Sequence, residues 1–239
     1  MSETVLEVRH LQKQYGALRP LRLQELRVDR SATVALMGLD AAAAEVFVNL
    51  VTGATLPDSG EVRVFGRPTA AITDADEWLR TLDRFGILSD RAAILENLTV
   101  AQNLAMTFTL DIDPIDRDVR SRVDALAGDV GLEPESRERR AGELDAAGKL
   151  RVRLGRAVAL APDLLVMEHP TATLRRGDVA AFADLVRRLS AARRFAILAV
   201  TADEEFASAV TPHVLRLRPA DGALLPRDDR WGLLKRLFR

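Results

Sequence analysis

Two stretches of this 239-residue chain place ionisable side chains directly behind a run of apolar ones. In the first, Thr33-Val34-Ala35-Leu36-Met37 leads through Gly38 and Asp40 to Ala41–Ala44 and then Glu45. In the second, Leu164-Leu165-Val166-Met167 leads to Glu168 and His169. An imidazole can act as a base, so His169 is a candidate for proton transfer; the alternative is a polar residue closing a strand. Asp40 is a good N-cap residue, and the four alanines after it are the best helix formers. Glu45 is expected in or near the first turn, where a negative charge complements the helix dipole by about 0.3–1 kcal/mol. The first stretch therefore reads as a helix terminus that supplies its own anions. Metal and thiol chemistry find less support. There are no cysteines, and His10, His169 and His213 lie far apart, without ligand spacing.

The elements that must position these residues follow from periodicity. Val5–Arg9, Leu21–Leu23 and Gly60–Gly66 alternate apolar and polar residues, as half-exposed antiparallel strands do. Thr33–Met37, Leu164–Met167 and Phe195–Val200 are continuously apolar, the pattern of strands covered on both faces in a parallel sheet. Ala41–Val51 and Val179–Leu189 predict helices. Residues 97–160 read as mostly helical, with a connecting loop over Asp111–Asp118 around Pro114. The order is strands, a strand–loop–helix unit, a helical insertion, and strand–helix–strand. That implies an α/β layer architecture with a helical subdomain.

Several segments, in the same order along residues 5–218, resemble the ATP-binding subunit of ABC transporters. Val34–Glu45 is similar to that family's P-loop region, and Leu56–Val62 to the strand entry that follows it. Glu96–Leu104 resembles the stretch after the Q-loop, and Arg151–Pro162 the helix after the signature motif. Leu164–Thr171 resembles Walker B with its trailing Pro-Thr. The resemblance implies a P-loop NTPase core of ABC type: a parallel sheet flanked by helices, an N-terminal antiparallel β-subdomain, and a helical subdomain at about 91–160. It also implies one domain over residues 1–218 and a basic tail over 219–239.

The residues that carry the family's chemistry are altered. A P-loop of the form G-x-x-x-x-G-K-[ST] wraps phosphate with backbone N–H groups, reaches it with a lysine, and holds magnesium with a hydroxyl. Here Gly38 stands at the first glycine, Ala43 at the second, Ala44 at the lysine and Glu45 at the hydroxyl, with Asp40 as a further anion in the loop. A polyphosphate would meet like charges, at about 1 kcal/mol per close pair in water. Asp90 stands at the Q-loop glutamine. The signature segment is Leu144-Asp145-Ala146-Ala147-Gly148, without the serine and first two glycines. Glu168 and His169 replace the Walker B Asp-Glu, Arg175 the D-loop aspartate, and Ala202 the switch histidine. Glu168 could still contact a metal through water. Tyr15 matches the aromatic that stacks on adenine in the family, and reads equally as a tyrosine packed at a sheet edge. Stacking alone is worth about 1–3 kcal/mol, which gives millimolar binding at best.

The family forms head-to-tail dimers in which each site pairs one P-loop with the opposite signature motif. With both halves altered, neither composite site would be complete, in a homodimer or a heterodimer. No cofactor is therefore expected, with ATP and Mg²⁺ relevant only if the altered site still binds them. The charge balance, 34 basic against 35 acidic residues, argues against a nucleic-acid partner. No stretch is apolar enough to span a membrane, and the start lacks signal-peptide character. The expected location is cytoplasmic, peripheral on the inner face of the membrane through a multi-pass permease. Arg227–Arg239 would gather Trp231, Leu234, Leu237 and Phe238 on one side of a helix, docked on the protein's own body or against a permease or anionic membrane. Three functions compete: a non-catalytic ABC subunit, a working ATPase with divergent motifs, and a soluble interaction protein outside transport.

Overall fold

The computed structural model describes residues 3–227. The apolar side chains Trp231, Leu234, Leu237 and Phe238 lie outside the described residues. An antiparallel sheet holds β1 (Thr4–Lys13), β2 (Leu21–Asp29), β4 (Ser59–Val64) and β5 (Arg67–Pro68) in the order β2-β1-β4-β5. Its strands alternate: Leu21, Leu23, Leu26 and Val28 of β2 are buried and Arg22, Gln24 and Arg27 are exposed. The buried set packs on one side of the second sheet, with α1 (Ala41–Val51).

That second sheet has six strands, ordered β10-β9-β3-β8-β7-β6. They are β3 (Thr33–Met37), β6 (Phe85–Leu88), β7 (Leu164–Glu168), β8 (Ala196–Val200), β9 (Val214–Arg218) and β10 (Ala223–Pro226). All pairs are parallel except β9–β10. Every residue of β7 and β8 is buried, which is why their sequences are continuously apolar. Their side chains divide between two cores: Leu164 and Val166 face the antiparallel sheet, while Leu165 and Met167 face the helices. Strand β10 continues this sheet beyond residue 218, so part of the segment expected as tail belongs to the fold.

The helical side consists of α3 (Val100–Ala105), α4 (Arg117–Asp129) and α5 (Ala146–Val158), together with α6 (Arg176–Arg193) and α7 (Glu204–Val210). The expected helix at 179–189 is extended at both ends in α6, which closes with Arg194 in a left-handed conformation. A further helix, α2 (Ala75–Leu82), has no fully buried residue, and periodicity did not announce it. Between β6 and α3 the chain is held by Asn103, fully buried. Its amide donates to the carbonyls of Leu95 (2.9 Å) and Thr99 (3.0 Å) and accepts the Leu95 N–H at 3.0 Å. A Thr99–Gln102 capping box starts the helix beside it.

Asn103→Ala strands several buried backbone groups, each costing about 1–3 kcal/mol. We expect a loss of about 2–4 kcal/mol in urea unfolding, against a change within about 0.5 kcal/mol for an exposed control such as Ala180→Ser.

Candidate functional site

The carboxyl ends of β3, β7 and β8 open on one edge of the sheet, where parallel α/β folds place ligands. Strand β3 is followed by Gly38, whose φ of +95° favours glycine. A Cβ at this position would sit 2.8 Å from the Leu217 carbonyl oxygen of β9. The glycine is therefore required by the turn and by the neighbouring strand, whether or not a ligand is bound.

Asp40 is the N-cap of α1. Its carboxylate accepts the Ala43 N–H at 2.8 Å, and its carbonyl accepts the Ala44 N–H at 2.8 Å. The Ala43 N–H, which could face an incoming anion, is thus already bonded, while the Ala44 N–H makes the first backbone bond of the helix. Ala44, at the lysine position, is fully buried in the core, as Ala43 nearly is. Glu45 is the fifth residue of the helix, not in the first turn, which contains no acidic side chain. It makes an ion pair there instead of serving the dipole.

The partner of Glu45 is Arg91, at 2.6 Å. The same guanidinium reaches Glu168, at the end of β7, at 2.5 Å. Arg91 thus joins α1 to the central sheet. The Glu168 side chain is 10% exposed against 49% for Glu45, so the two bonds differ in worth. A charged hydrogen bond to the sheltered carboxylate contributes about 1.5–3 kcal/mol, and the exposed pair about 0–1. Arg91 escaped sequence reasoning. The signal was two carboxylates, Glu45 and Glu168, at places the resemblance brings together, which require a cation between them.

The second half of the family's site repeats the pattern. Asp145 is the N-cap of α5, and its carboxylate accepts the Gly148 N–H at 2.8 Å. Leu144, Ala146 and Ala147 around it are half-buried. Asp90 pairs with Arg153 of α5 at 3.1 Å. The helix starts that face potential ligands therefore carry carboxylates from their own chain.

Beside this region lies a cavity of about 400 Å³ bounded by His169, Thr171, Arg176, Thr201, Ala202 and Asp203 among others. His169 has φ +43°, and its Nε2 is buried without a hydrogen-bond partner. Asp203 organises the far wall: it accepts from the Thr171 hydroxyl (2.8 Å), from Arg176 (3.1 Å) and from the N–H groups of Glu205 and Phe206. Burial raises its pKa, but the Thr171 hydroxyl, the Phe206 N–H and Arg176 outweigh that and hold it below the usual aspartate value. Ala202 is exposed, as is Arg175, which sits at the N-cap of α6 without a capping bond. Tyr15 is half-buried against the second core and shares a cavity of about 120 Å³ with Arg19, Gly38, Asp40 and Ala43. Burial and nearby Asp40 raise its hydroxyl pKa, so it stays neutral. The space is small beside the roughly 300–1,000 Å³ of typical ligand pockets.

Comparison with known proteins bears on this arrangement. The ABC transporter family profile matches residues 21–172. The chain belongs to the ABC transporter family. A ribose import ATP-binding protein, RbsA 2 of Rhizobium meliloti, is 26% identical over 80% of this chain, which spans only 37% of that relative. The methionine import ATP-binding protein MetN of the same organism is 31% identical over 79% of the chain and 52% of its own length. The lipoprotein-releasing system ATP-binding protein LolD of Psychrobacter arcticus is 24% identical over 87% of both chains. Among solved structures, cbiO1 from Clostridium perfringens, described as part of the ABC transporter complex cbiONQ, superposes with TM-score 0.81 over 99% of this chain at 18% identity. The dimeric cassette MJ0796, described as bound to ADP and Pi, gives 0.73 over 92% of this chain at 20% identity. These likenesses establish the cassette fold.

The cofactor implied by the family, magnesium with a nucleoside triphosphate, does not fit the donor set. Ala44 offers no cation, Asp40 occupies an N–H of the loop, and Arg91 lies between the carboxylates. Among the described residues, no group of three or more His, Cys, Asp or Glu could hold a metal ion, and no helix is long and apolar enough to cross a membrane.

Two outcomes follow from the local geometry. Gly38→Ala must strain the turn and crowd Leu217, with an expected loss of about 1–3 kcal/mol in chemical unfolding. Asp203, with its depressed pKa, stabilises the fold fully above the unfolded-state value of about 3.9 and loses that contribution as pH falls through its folded value. Comparing unfolding free energies of wild type and Asp203→Asn should give a gap that is constant at neutral pH and closes below about pH 4.

Proposed function

We propose that this chain is an ABC-family subunit that works without hydrolysing ATP, in a structural or regulatory role. The observation that carries this reading is the Arg91 guanidinium bonded to both Glu45 and Glu168. A side-chain cation already neutralises the carboxylates that stand at the family's magnesium positions. A triphosphate would have to displace it while facing Asp40 and Glu45 without the P-loop lysine. The parallel cap at Asp145 supports the same reading for the signature half. Dimerisation with a second ABC domain, identical or related, would therefore not assemble a working site from this chain.

Its partner is a multi-pass membrane permease at the inner face of the membrane, as the names of the import and lipoprotein-releasing relatives suggest. The docking surface is the stretch from Asp90 to Leu110. It presents Leu95 and Leu110, 42% and 88% exposed, on a backbone fixed by buried Asn103. Cargo and direction are not part of the proposal, since the fold serves many.

Calorimetric titration of the purified chain with ATP and Mg²⁺ tests the reading. The expected outcome is no magnesium-dependent heat at micromolar protein and no phosphate release above the buffer rate. Magnesium-dependent phosphate release above the buffer rate would overturn it, and micromolar affinity would remove its premise that Arg91 keeps the triphosphate out. Co-purification of a multi-pass membrane protein is the expected result from detergent extracts, and its loss in Leu95→Asp/Leu110→Asp would locate the surface.

A further inference from the structure

Residues 89–93 lead from β6 toward the helical layer, and their bonds run to both sides. On the sheet side, Arg91 holds Glu45 of α1 and Glu168 of β7. On the helical side, the Asp90 carboxylate pairs with Arg153 of α5 at 3.1 Å. Arg153 also donates to the Ala92 carbonyl (3.2 Å), and Arg156 donates to the Ala93 carbonyl (2.6 Å). Arg153 and Arg156 stand three residues apart, on one face of the helix. A further residue of α5, Lys149, pairs with Glu96 at 2.8 Å. Four consecutive residues, 90–93, thus bond to three separate elements: α1, β7 and α5.

Exposed ion pairs taken singly contribute little. Here they share one short loop, so ordering it for one bond orders it for the others, and breaking one loosens the rest. The arrangement is also electrically directed. The sheet side contributes carboxylates and the helical side guanidinium groups, while the loop answers with Arg91 toward the first and with Asp90 and two carbonyls toward the second. Turning the loop around would set Arg91 against Arg153 and Arg156, and Asp90 against Glu45 and Glu168.

We infer that residues 90–93 form a built-in brace that fixes the helical layer against the sheet without any ligand. Arg91 is its anchor on the sheet and Asp90 its anchor on α5. The inference rests on the proposed function in one respect: both take the Arg91 bridge between Glu45 and Glu168 as the resting state of the corner. It goes further in assigning the loop a mechanical role that holds α5 in one place.

Hydrogen–deuterium exchange on the full chain, comparing wild type with Arg91→Ala, Arg91→Lys and Glu45→Gln, tests the brace. Arg91→Ala should raise exchange at least tenfold in residues 89–99 and also in α5, whose bonds to the loop run through Asp90, Ala92 and Ala93. The β1–β2 hairpin should be unchanged. Glu45→Gln, an exposed and conservative change, should give the same pattern at smaller amplitude. It keeps the test open if Arg91→Ala does not fold. Arg91→Lys, which cannot reach both carboxylates in a planar fork, should fall between. Faster exchange confined to residues 89–93, with α5 as in wild type, would overturn the brace. Calorimetry on the same wild-type sample separates the two readings. Tight binding of ATP and Mg²⁺ with coupled exchange in the variants removes the premise of the non-hydrolytic function and leaves the brace standing; no binding with purely local exchange does the reverse.

Discussion

A guanidinium held between two carboxylates sets the character of this protein's central corner. Glu168 is sheltered at the end of a buried strand, and a carboxylate there requires a positive partner. Glu45, one helical turn past Asp40, brings a second negative charge toward the same point. Two like charges at such range are tolerated only when a cation lies between them. Arg91 is that cation, and it comes from the loop that leads to the helical layer. The charge balance of the corner and the placement of α5 are therefore handled by one short loop, through Arg91 on one side and Asp90 on the other.

The same solution appears at both helix starts. Asp40 and Asp145 each turn a carboxylate back onto the N–H three residues ahead. A helix start attracts anions because its first N–H groups lack intrahelical partners and its dipole is positive there. Here a carboxylate of the chain takes one of those N–H groups at each start. In this cassette fold both helix starts carry an acid of the chain, and an arginine bridges Glu45 and Glu168.

Much of the fold was legible because β3, β7 and β8 are covered on both faces and β1, β2 and β4 on one, so that burial is written directly into residue type. The helix at Ala41–Val51 was readable for the same reason, with Asp40 before it and alanines within. Strand β6 was missed because Phe85-Gly86-Ile87-Leu88 is short and Ile87 partly exposed. Strands β9 (Val214–Arg218) and β10 (Ala223–Pro226) are short, and β10 ends in proline, so neither stood out. At the site, the replaced residues were readable one by one, since each departs from a motif of fixed spacing. Their relation to one another was not. Glu45, Arg91 and Glu168 are far apart in sequence and meet only through the order of strands in the sheet. Arg91 matches no motif position, so nothing in its immediate neighbours marks it. The role expected of Glu45 in the helix dipole gave way to an ion pair for the same reason.

Ala44 lies in the closed core beneath the loop, with none of its surface exposed. A lysine at that position would have to place its long stem where the core is closed, displacing packed neighbours. On the function proposed above, a lysine at position 44 alone would therefore not make a nucleotide clamp of this corner, because the Asp40 cap and the bridging guanidinium of Arg91 would still be in place.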